Sequence, residues 1–249
     1  MVTSKKVSAI IILAPDHNPR EGVLEAAEEQ CDEVIIVRGR CRGIQRNVGV
    51  ESAKNPYVLM VDWDCYITPG YVNGLLSKMD ESVGAVFGLH VPHPSLSLFS
   101  KLEEFSKTGV VLNMGYTGAH GTLYNSNAVI ESGGFNKDPN ILFDKAEKLI
   151  LNMKDKGYKM FFEIGAINYH LHNSSPRTLL RDALTCGTTR NIKLFKALGK
   201  VLYSPISGGI ITVKVLNVTY ERKLLLLPVY FVFKQFVFFL GTILRRMGR

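Results

Sequence analysis

A short hydrophobic segment that ends in two acidic residues constrains this chain more than any other feature. The run from Val58 to Val61 is wholly apolar, and Asp62 and Asp64 follow it with one tryptophan between them. The turn-forming residues Thr68-Pro69-Gly70 come soon after. An apolar run of this length that is closed by turn residues is typical of a buried strand in a parallel sheet. The two acids are therefore predicted at the carboxyl end of a strand, where open α/β sheets bind their ligands.

The residues on both sides of this segment alternate between strand and helix patterns. Strands are predicted at Val7–Leu13, Glu33–Val37, Val58–Val61 and Ala85–Leu89, and helices at Glu21–Gln30, Ile44–Ala53 and Tyr71–Met79. Such alternation predicts an α/β fold with a mostly parallel sheet flanked by helices. No Gly-x-Gly-x-x-Gly motif follows the first strand, which argues against a dinucleotide-binding site.

Charge divides the chain into two unequal parts. Residues 1–176 carry 17 Lys and Arg against 20 Asp and Glu, whereas residues 177–249 carry 13 against 2. A basic C-terminal third indicates contact with an anionic partner, either membrane lipid or nucleic acid. Single-stranded nucleic acid favours aromatic residues among the basic ones, and Phe195 is the only aromatic residue between positions 177 and 200. The expected partner is therefore membrane lipid, and no nucleic acid is expected.

The apolar segment from Leu224 to Leu244 also favours a membrane. Its 21 residues would just cross a bilayer, although Lys234 lies at its centre. A helix that begins at Pro228 places Lys234 and Arg245 on one face and a wide apolar arc on the other. We predict an amphipathic helix that lies on the membrane. A spanning helix, a helix packed on the protein's own core and a dimer contact remain as alternatives.

Several motifs along the chain occur in a set order. They are Gln45-Arg46-Asn47-Val48-Gly49, then Asp62-Trp63-Asp64, then Gly118–Tyr124 leading to Gly133-Gly134-Phe135, and finally Leu149–Met153 before Gly157-Tyr158-Lys159. Together they resemble the inverting family 2 glycosyltransferases of GT-A fold, over about residues 7–200. The resemblance implies a GT-A catalytic domain at 1–173, with a donor half at about 1–90 and an acceptor half at about 91–173. A basic, membrane-associating helical region would follow at 174–249.

The resemblance also implies a reaction and the residues that support it. Members of the family move a sugar from a nucleoside diphosphate to an acceptor, and a divalent cation, Mn²⁺ or Mg²⁺, neutralises the departing diphosphate. The implied residues are, for the metal, Asp62, Asp64, His170 and His172; for the donor, Arg46 and Asn47 with both acids; and for the acceptor side, Gly118, His120, Gly121 and Gly134. Either of His170 and His172 has the alternative of a hydrogen-bonded surface residue.

The general base is one point where the chain departs from the family pattern. Inversion needs a base that deprotonates the acceptor. The family's acidic pair falls here on Lys145-Ala146, and the nearest acids are Asp144 and Glu147. Asp144 is the predicted base, with a helix N-cap as its alternative role.

The donor loop is a second departure from the pattern. The family's acidic stretch after the second strand is replaced by Val37-Arg38-Gly39-Arg40. Asp16 on the first loop is the predicted substitute for the missing acid. Arg38 is a candidate phosphate ligand, because its guanidinium fork suits that geometry, or else a solvated loop cation.

The predicted setting is the cytoplasmic face of a membrane. The four cysteines show no disulfide framework, which favours a reducing compartment. The basic C-terminal third suits a lipid-phosphate acceptor, for instance one linked to polyprenyl phosphate. The alternative function is a non-catalytic, membrane-bound protein that binds a sugar nucleotide or a lipid on a degenerate glycosyltransferase fold.

Overall fold

The computed structural model divides the chain into two compact units. It describes residues 6–114, 120–138, 146–171, 175–178, 180–181, 184, 194–219 and 222–247. The first unit is Met1–Val91 with Gly115–Leu171, and the second is Pro92–Met114 with His172–Arg249. Residues 92–114, which the sequence assigned to the acceptor half, thus group with the C-terminal residues.

The first unit is built on a seven-stranded sheet. Its strands are β1 Val7–Leu13, β2 Glu33–Arg38, β3 Tyr57–Asp62, β4 Cys65–Ile67, β5 Val83–Pro92, β6 Thr122–Asn125 and β7 Lys159–His170. Their order across the sheet is β2-β1-β3-β6-β5-β7-β4. β1 pairs in parallel with β2 and β3, whereas β6 is antiparallel to β3 and β5, and β4 is antiparallel to β7. The predicted α/β class is confirmed, and the antiparallel pairs make the second half of the sheet mixed.

Helices flank this sheet and build the second unit. The first unit holds α1 Val23–Gln30, α2 Arg42–Ser52, α3 Tyr71–Leu76, α5 Ser126–Glu131 and α6 Glu147–Asp155, and the second holds α4 Leu98–Met114, α7 Leu194–Thr219 and α8 Leu227–Arg246. A 3-10 turn at Arg222–Leu226 precedes α8.

The strand β1, which lies between β2 and β3, is buried on both of its faces. Its alternate residues Ala9 and Ile11 join one hydrophobic cluster, and Ile10 joins the other, as the two-residue period of a strand requires. Helix α2 lies close against the second face, because a Cβ on Gly49 would lie only 2.4 Å from the Cγ2 of Ile10. This close packing holds α2 beside the carboxyl ends of the parallel strands.

Charged and polar side chains are enclosed within the second unit. The Nζ of Lys234 in α8 lies 2.9 and 3.0 Å from the carboxylate oxygens of Glu103 in α4. The hydroxyl of Tyr230 donates to the same carboxylate. Gly241 is buried, and a Cβ on Gly208 of α7 would lie 2.7 Å from the Cα of Pro228. The part of the predicted polar face of α8 that includes Lys234 thus packs against α4, and Pro228 at the start of α8 packs against α7.

Part of the surface of this unit is apolar. By length and composition, Leu224–Leu244 is the one segment among the described residues that would cross a membrane, and 39% of its most apolar stretch is buried inside the protein. Large apolar side chains on both long helices are nevertheless exposed, at helical spacing. They are Phe195, Leu202, Ile206 and Val213 on α7, and Val229, Phe233, Phe236 and Leu240 on α8. We call these residues the apolar stripes.

Candidate active site

Two buried carboxylates lie at the carboxyl end of β3. Asp62 ends the strand and Asp64 follows it, with 8% and 5% of their surfaces exposed. Buried carboxylates are costly unless positive charge or hydrogen bonds compensate them. The Nη2 of Arg46 and the Nδ1 of His120 lie 3.7 and 3.6 Å from the two oxygens of Asp62. The Nε2 of His170 lies 3.4 Å from the Oδ1 of Asp64.

Backbone hydrogen bonds bring both histidines to this place. The N–H of the residue after His170 donates to the backbone carbonyl of Asp64 over 2.7 Å. The N–H of Gly121, the residue after His120, donates to the carbonyl of Met60 in β3 over 2.7 Å. His120, which the sequence assigned to the acceptor side, therefore lies against the carboxylate pair.

A third histidine, His90 in β5, joins these two. The ring centroid of His90 lies 4.5 Å from that of His120 and 4.9 Å from that of His170. Burial, with a further contribution from His90, lowers the pKa of His120 to about 3, although Asp62 opposes the shift. His120 is therefore neutral near pH 7, and a neutral imidazole is the form that binds a metal ion.

A buried chain of hydrogen bonds supports the histidines. The Nδ1 of His90 contacts the Oδ1 of Asn168, whose Nδ2 donates to the hydroxyl of Tyr71 over 2.8 Å. The Tyr71 hydroxyl donates in turn to the carbonyl of Gly121 over 2.5 Å. Gly121 has φ +65°, and a Cβ there would lie 2.5 Å from the Asn168 Nδ2. The chain thus fixes the backbone that carries His120.

Replacing Tyr71 with phenylalanine is expected to lower the free energy of unfolding by about 1–3 kcal/mol, because two buried polar groups lose their partner. Urea denaturation of the wild type and the variant measures this change. Tyr66→Phe, a half-buried tyrosine in β4, is the matched control and is expected to change the same quantity by less than about 0.5 kcal/mol. Equal effects of the two substitutions would contradict the role of the chain.

Asn47 in α2 holds the turn that contains Gly134 and Phe135. Its Nδ2 donates to the carbonyl of Phe135, and its Oδ1 accepts from the N–H of the same residue, both over 2.8 Å. Gly134 in this turn has φ +72°, and a Cβ there would lie 2.6 Å from the Asn47 Oδ1. Through these contacts Asn47, which the sequence predicted at the donor, positions the backbone of Phe135. Gly134 packs directly against the Asn47 side chain.

Arg38 holds the loop between β1 and α1. Its Nη1 donates to the carbonyls of Pro15 and His17 over 3.3 and 2.5 Å, and its Nη2 donates to Asn18 over 3.0 Å. These hydrogen bonds connect Arg38 to the loop, and its role as a phosphate ligand stays a prediction. Asp16 is exposed in the loop that Arg38 holds.

The structure describes only some of the other residues that the sequence predicted for the site. Asp144, Gly118 and His172 lie outside the described residues. Glu147 is the exposed first residue of α6. The start of this helix borders a cavity of about 320 Å³ with a largely polar lining. Its lining residues include Gly134, Phe135, Lys137, Lys148 and Asn152.

Sequence and structure comparisons show what this chain resembles. A sequence model of the glycosyl transferase family 2 matches residues 10–136. No curated protein matches the chain in sequence. The mannosyltransferase PcManGT from Pyrobaculum calidifontis, solved with GDP-Man and Mn²⁺, is 10% identical, with a TM-score of 0.54 over 98% of this chain and 88% of that one. TarS from S. aureus is 12% identical, with a TM-score of 0.44 over 83% of this chain and 43% of that one, so this chain spans less than half of that TarS chain.

Proposed function

Because this chain belongs to glycosyl transferase family 2, we propose that it is a metal-dependent, inverting glycosyltransferase. Its donor is a nucleoside-diphosphate sugar, and its acceptor is a hydroxyl or a lipid phosphate at a membrane surface. The observation that carries this proposal is the carboxylate pair Asp62 and Asp64, buried at the end of β3 beside Arg46, His120 and His170.

The chemistry of this group fits a divalent cation. Two neighbouring buried carboxylates concentrate negative charge and offer oxygen ligands, which suit Mn²⁺ and Mg²⁺. Asp64 and His170 would hold the ion, together with Asp62. His172, two positions after His170 in the sequence, stays a predicted further ligand. When bound, the ion would neutralise the departing diphosphate as a Lewis acid. The Mn²⁺ complex of PcManGT, whose fold is similar, supports this cofactor class.

The donor would lie over the carboxyl ends of the parallel strands. Helix α2 brings Arg46 to this edge, where its guanidinium lies 5.6 Å from the centre of the Phe135 ring. We assign Arg46 to orienting the diphosphate, which its planar fork suits. Asp16, exposed in the loop that Arg38 holds, is the proposed contact to the nucleoside. The GDP-Man complex of PcManGT supports a nucleotide sugar as donor.

Calorimetric titration with a panel of nucleoside diphosphates, with and without Mn²⁺, tests the donor site. One nucleotide is expected to bind in the presence of Mn²⁺ and to bind at least about tenfold more weakly in its absence. Binding of no nucleotide under either condition would contradict the proposal. Binding without any turnover of the matching nucleotide sugar would instead favour a non-catalytic sugar-nucleotide-binding protein.

The general base is proposed from the start of α6. Asp144 precedes Glu147, the first residue of α6, by three positions in the sequence. Ala146 and Lys148, the neighbours of Glu147, line the polar cavity. Asp144→Asn is expected to lower kcat by about 10²–10⁴-fold with donor binding retained, because the acceptor keeps its proton. Glu147→Gln is expected to change kcat by less than about tenfold. A larger loss of kcat in Glu147→Gln than in Asp144→Asn would assign the base to Glu147. If both variants keep the wild-type kcat, neither residue is the base.

The second unit supports a membrane-surface location. The apolar stripes expose large apolar side chains along two long helices, and extended exposed apolar surface marks an interaction with a membrane or a partner. The cations Lys196, Lys214 and Arg246 are exposed on the same two helices. Apolar area beside cations is the pattern of helices that lie in an anionic lipid surface. We assign this surface to the cytoplasmic face of the membrane.

The acceptor is proposed to be lipid-linked. Arg177 and Arg181 are both exposed in the basic stretch that follows the first unit. Guanidinium groups bind phosphate in a bidentate manner, and a lipid phosphate would lie at the membrane surface. A polyprenyl-phosphate-linked acceptor combines these two properties.

Introducing two acids into the α8 stripe tests the membrane surface. Phe233→Glu with Phe236→Glu is expected to weaken binding to anionic phospholipid vesicles at least about tenfold, because two aromatic rings leave the lipid and like charges repel. Vesicle sedimentation measures the change. The matched control is Phe161→Glu with Ile164→Glu, which replaces two exposed apolar residues of β7 and adds the same negative charge. Equal binding of the two double variants would contradict the assignment.

A further inference from the structure

Three side chains next to the carboxylate pair form another group of metal-binding side chains. Cys65 begins β4, His90 lies in β5 and His170 ends β7. Each offers one sulfur or nitrogen atom, and these three atoms lie within 4.8 Å of one another. Cys65 and His90 are buried, and only 13% of the His170 side chain is exposed. The protein thus gathers a thiol and two imidazoles in a largely buried place.

The register of the sheet produces this group. Cys65 lies directly opposite His170 in the antiparallel pair of β4 and β7. β5, which carries His90, is the other neighbour of β7 in the sheet. Side chains of directly opposed residues lie about 4.5–5.5 Å apart at their Cβ atoms. The group is therefore supported by three hydrogen-bonded strands.

The buried hydrogen-bond chain fixes which ring nitrogen of His90 carries the proton. The Tyr71 hydroxyl donates to Gly121, so it accepts from the Nδ2 of Asn168. The Oδ1 of Asn168 therefore faces His90 and accepts a hydrogen bond from its Nδ1–H. The lone pair of His90 is left on Nε2. A hydrogen bond of this kind, from the other ring nitrogen, is how proteins usually orient a metal-binding histidine.

The ligand set differs from that of the carboxylate pair. Thiolate and imidazole ligands suit Zn²⁺ and Co²⁺, whereas Mn²⁺ and Mg²⁺ prefer oxygen. Nitrogen and sulfur ligands of a tetrahedral zinc ion lie about 3.4–3.6 Å apart, so the three atoms would have to approach one another by roughly 1 Å. We propose that Cys65, His90 and His170 bind a thiophilic divalent cation such as Zn²⁺. Without such an ion, the same residues are a core thiol and packed imidazoles.

The two groups share His170, and this has a consequence for regulation. The Nε2 of His170 lies 3.4 Å from Asp64, so His170 adjoins both Asp64 and Cys65. A zinc ion that engages His170 withdraws it from the carboxylate pair. Zn²⁺ therefore weakens Mn²⁺-dependent nucleotide binding at least about tenfold. This consequence rests on the proposed function, whereas the binding of zinc does not.

Titration of the metal-free full-length chain with Co²⁺ tests the site, because a cobalt–thiolate bond has its own charge-transfer absorption in the near ultraviolet. The wild type is expected to develop this absorption, and Zn²⁺ is expected to abolish it by displacement. Cys65→Ser is expected to lose it. Cys41→Ser, which removes a half-buried thiol elsewhere in the chain, is expected to keep it.

Two further variants test the zinc site independently of Cys65→Ser and of the proposed function. His90→Gln retains the thiol and is expected to weaken Co²⁺ binding at least about tenfold, so it decides the question if Cys65→Ser does not fold. Asp64→Ala is expected to retain the cobalt absorption while it loses Mn²⁺-dependent nucleotide binding, which separates this site from the proposed function. A wild type without cobalt–thiolate absorption, or absorption that survives in Cys65→Ser, would overturn the proposal.

Discussion

Replacing Asp64 with alanine is expected to weaken the Mn²⁺-dependent binding of the nucleotide by at least about a hundredfold. Residues that only support a metal ligand contribute about 10–100-fold to metal affinity, so loss of a ligand should cost more. Asp64 is 5% exposed and lies 3.4 Å from His170, so its removal also leaves that imidazole without the carboxylate beside it. Calorimetric titration with the nucleotide that the wild type binds measures the change.

The control for this variant is Asp155→Ala, which removes an exposed aspartate at the end of α6. It is expected to bind the nucleotide within about twofold of the wild type, because the substitution of an exposed residue away from a binding site usually changes stability and affinity little. If Asp64→Ala binds the nucleotide within tenfold of the wild-type affinity, Asp64 is not a ligand of the metal ion. Circular dichroism of both variants shows whether the comparison is between folded proteins.

Replacing Asn47 with alanine is expected to lower the free energy of unfolding by about 2–5 kcal/mol. Its amide makes two buried hydrogen bonds to the backbone of Phe135, and each unsatisfied buried group costs about 1–3 kcal/mol. Asn127→Ala, an exposed asparagine in α5, is the matched control and is expected to cost less than about 1 kcal/mol. Chemical denaturation measures both.

The Asn47 variant also tests how the turn supports the site. Arg46 precedes Asn47 in α2 and lies 5.6 Å from the Phe135 ring, so loosening the turn is expected to weaken nucleotide binding as well. A loss of stability equal to that of Asn127→Ala would mean that the two hydrogen bonds contribute little.

The elements with strong periodic patterns could be predicted from the sequence. The strand Val7–Leu13 has the predicted bounds, because a run of apolar residues between polar ends allows few other structures. The helix predicted at Ile44–Ala53 is observed at Arg42–Ser52, and the strand predicted at Val58–Val61 is observed at Tyr57–Asp62. Short strands were missed, since β4 has three residues and β6 four, too few to show a period.

The site was predictable only where local sequence determines it. Asp62 and Asp64 follow from a strand that ends in acids. The chain from His90 through Asn168 and Tyr71 joins residues that lie 78 and 97 positions apart, and only sheet pairing brings them together. A histidine directly after a predicted apolar strand was the one local signal for His90.

The orientation of α8 shows a different limit. Helical periodicity correctly separates Lys234 from the apolar arc, because it depends only on spacing. It does not say which face meets other helices. The carboxylate of Glu103, distant in sequence, pairs with Lys234 and directs the polar face inward, so that Phe233 and Phe236 are exposed.

Release of the nucleoside diphosphate from its nucleotide sugar by this chain, measured with Mn²⁺ and with a chelator, shows whether Asp62 and Asp64 support catalysis. We expect release with Mn²⁺ and its loss with a chelator or in Asp64→Ala. When an acceptor is supplied, nuclear magnetic resonance is expected to show transfer of the sugar with inverted anomeric configuration. Absence of release with every nucleotide sugar that binds, or release that Asp64→Ala leaves unchanged, would contradict the assignment of Asp62 and Asp64 as the metal and donor site.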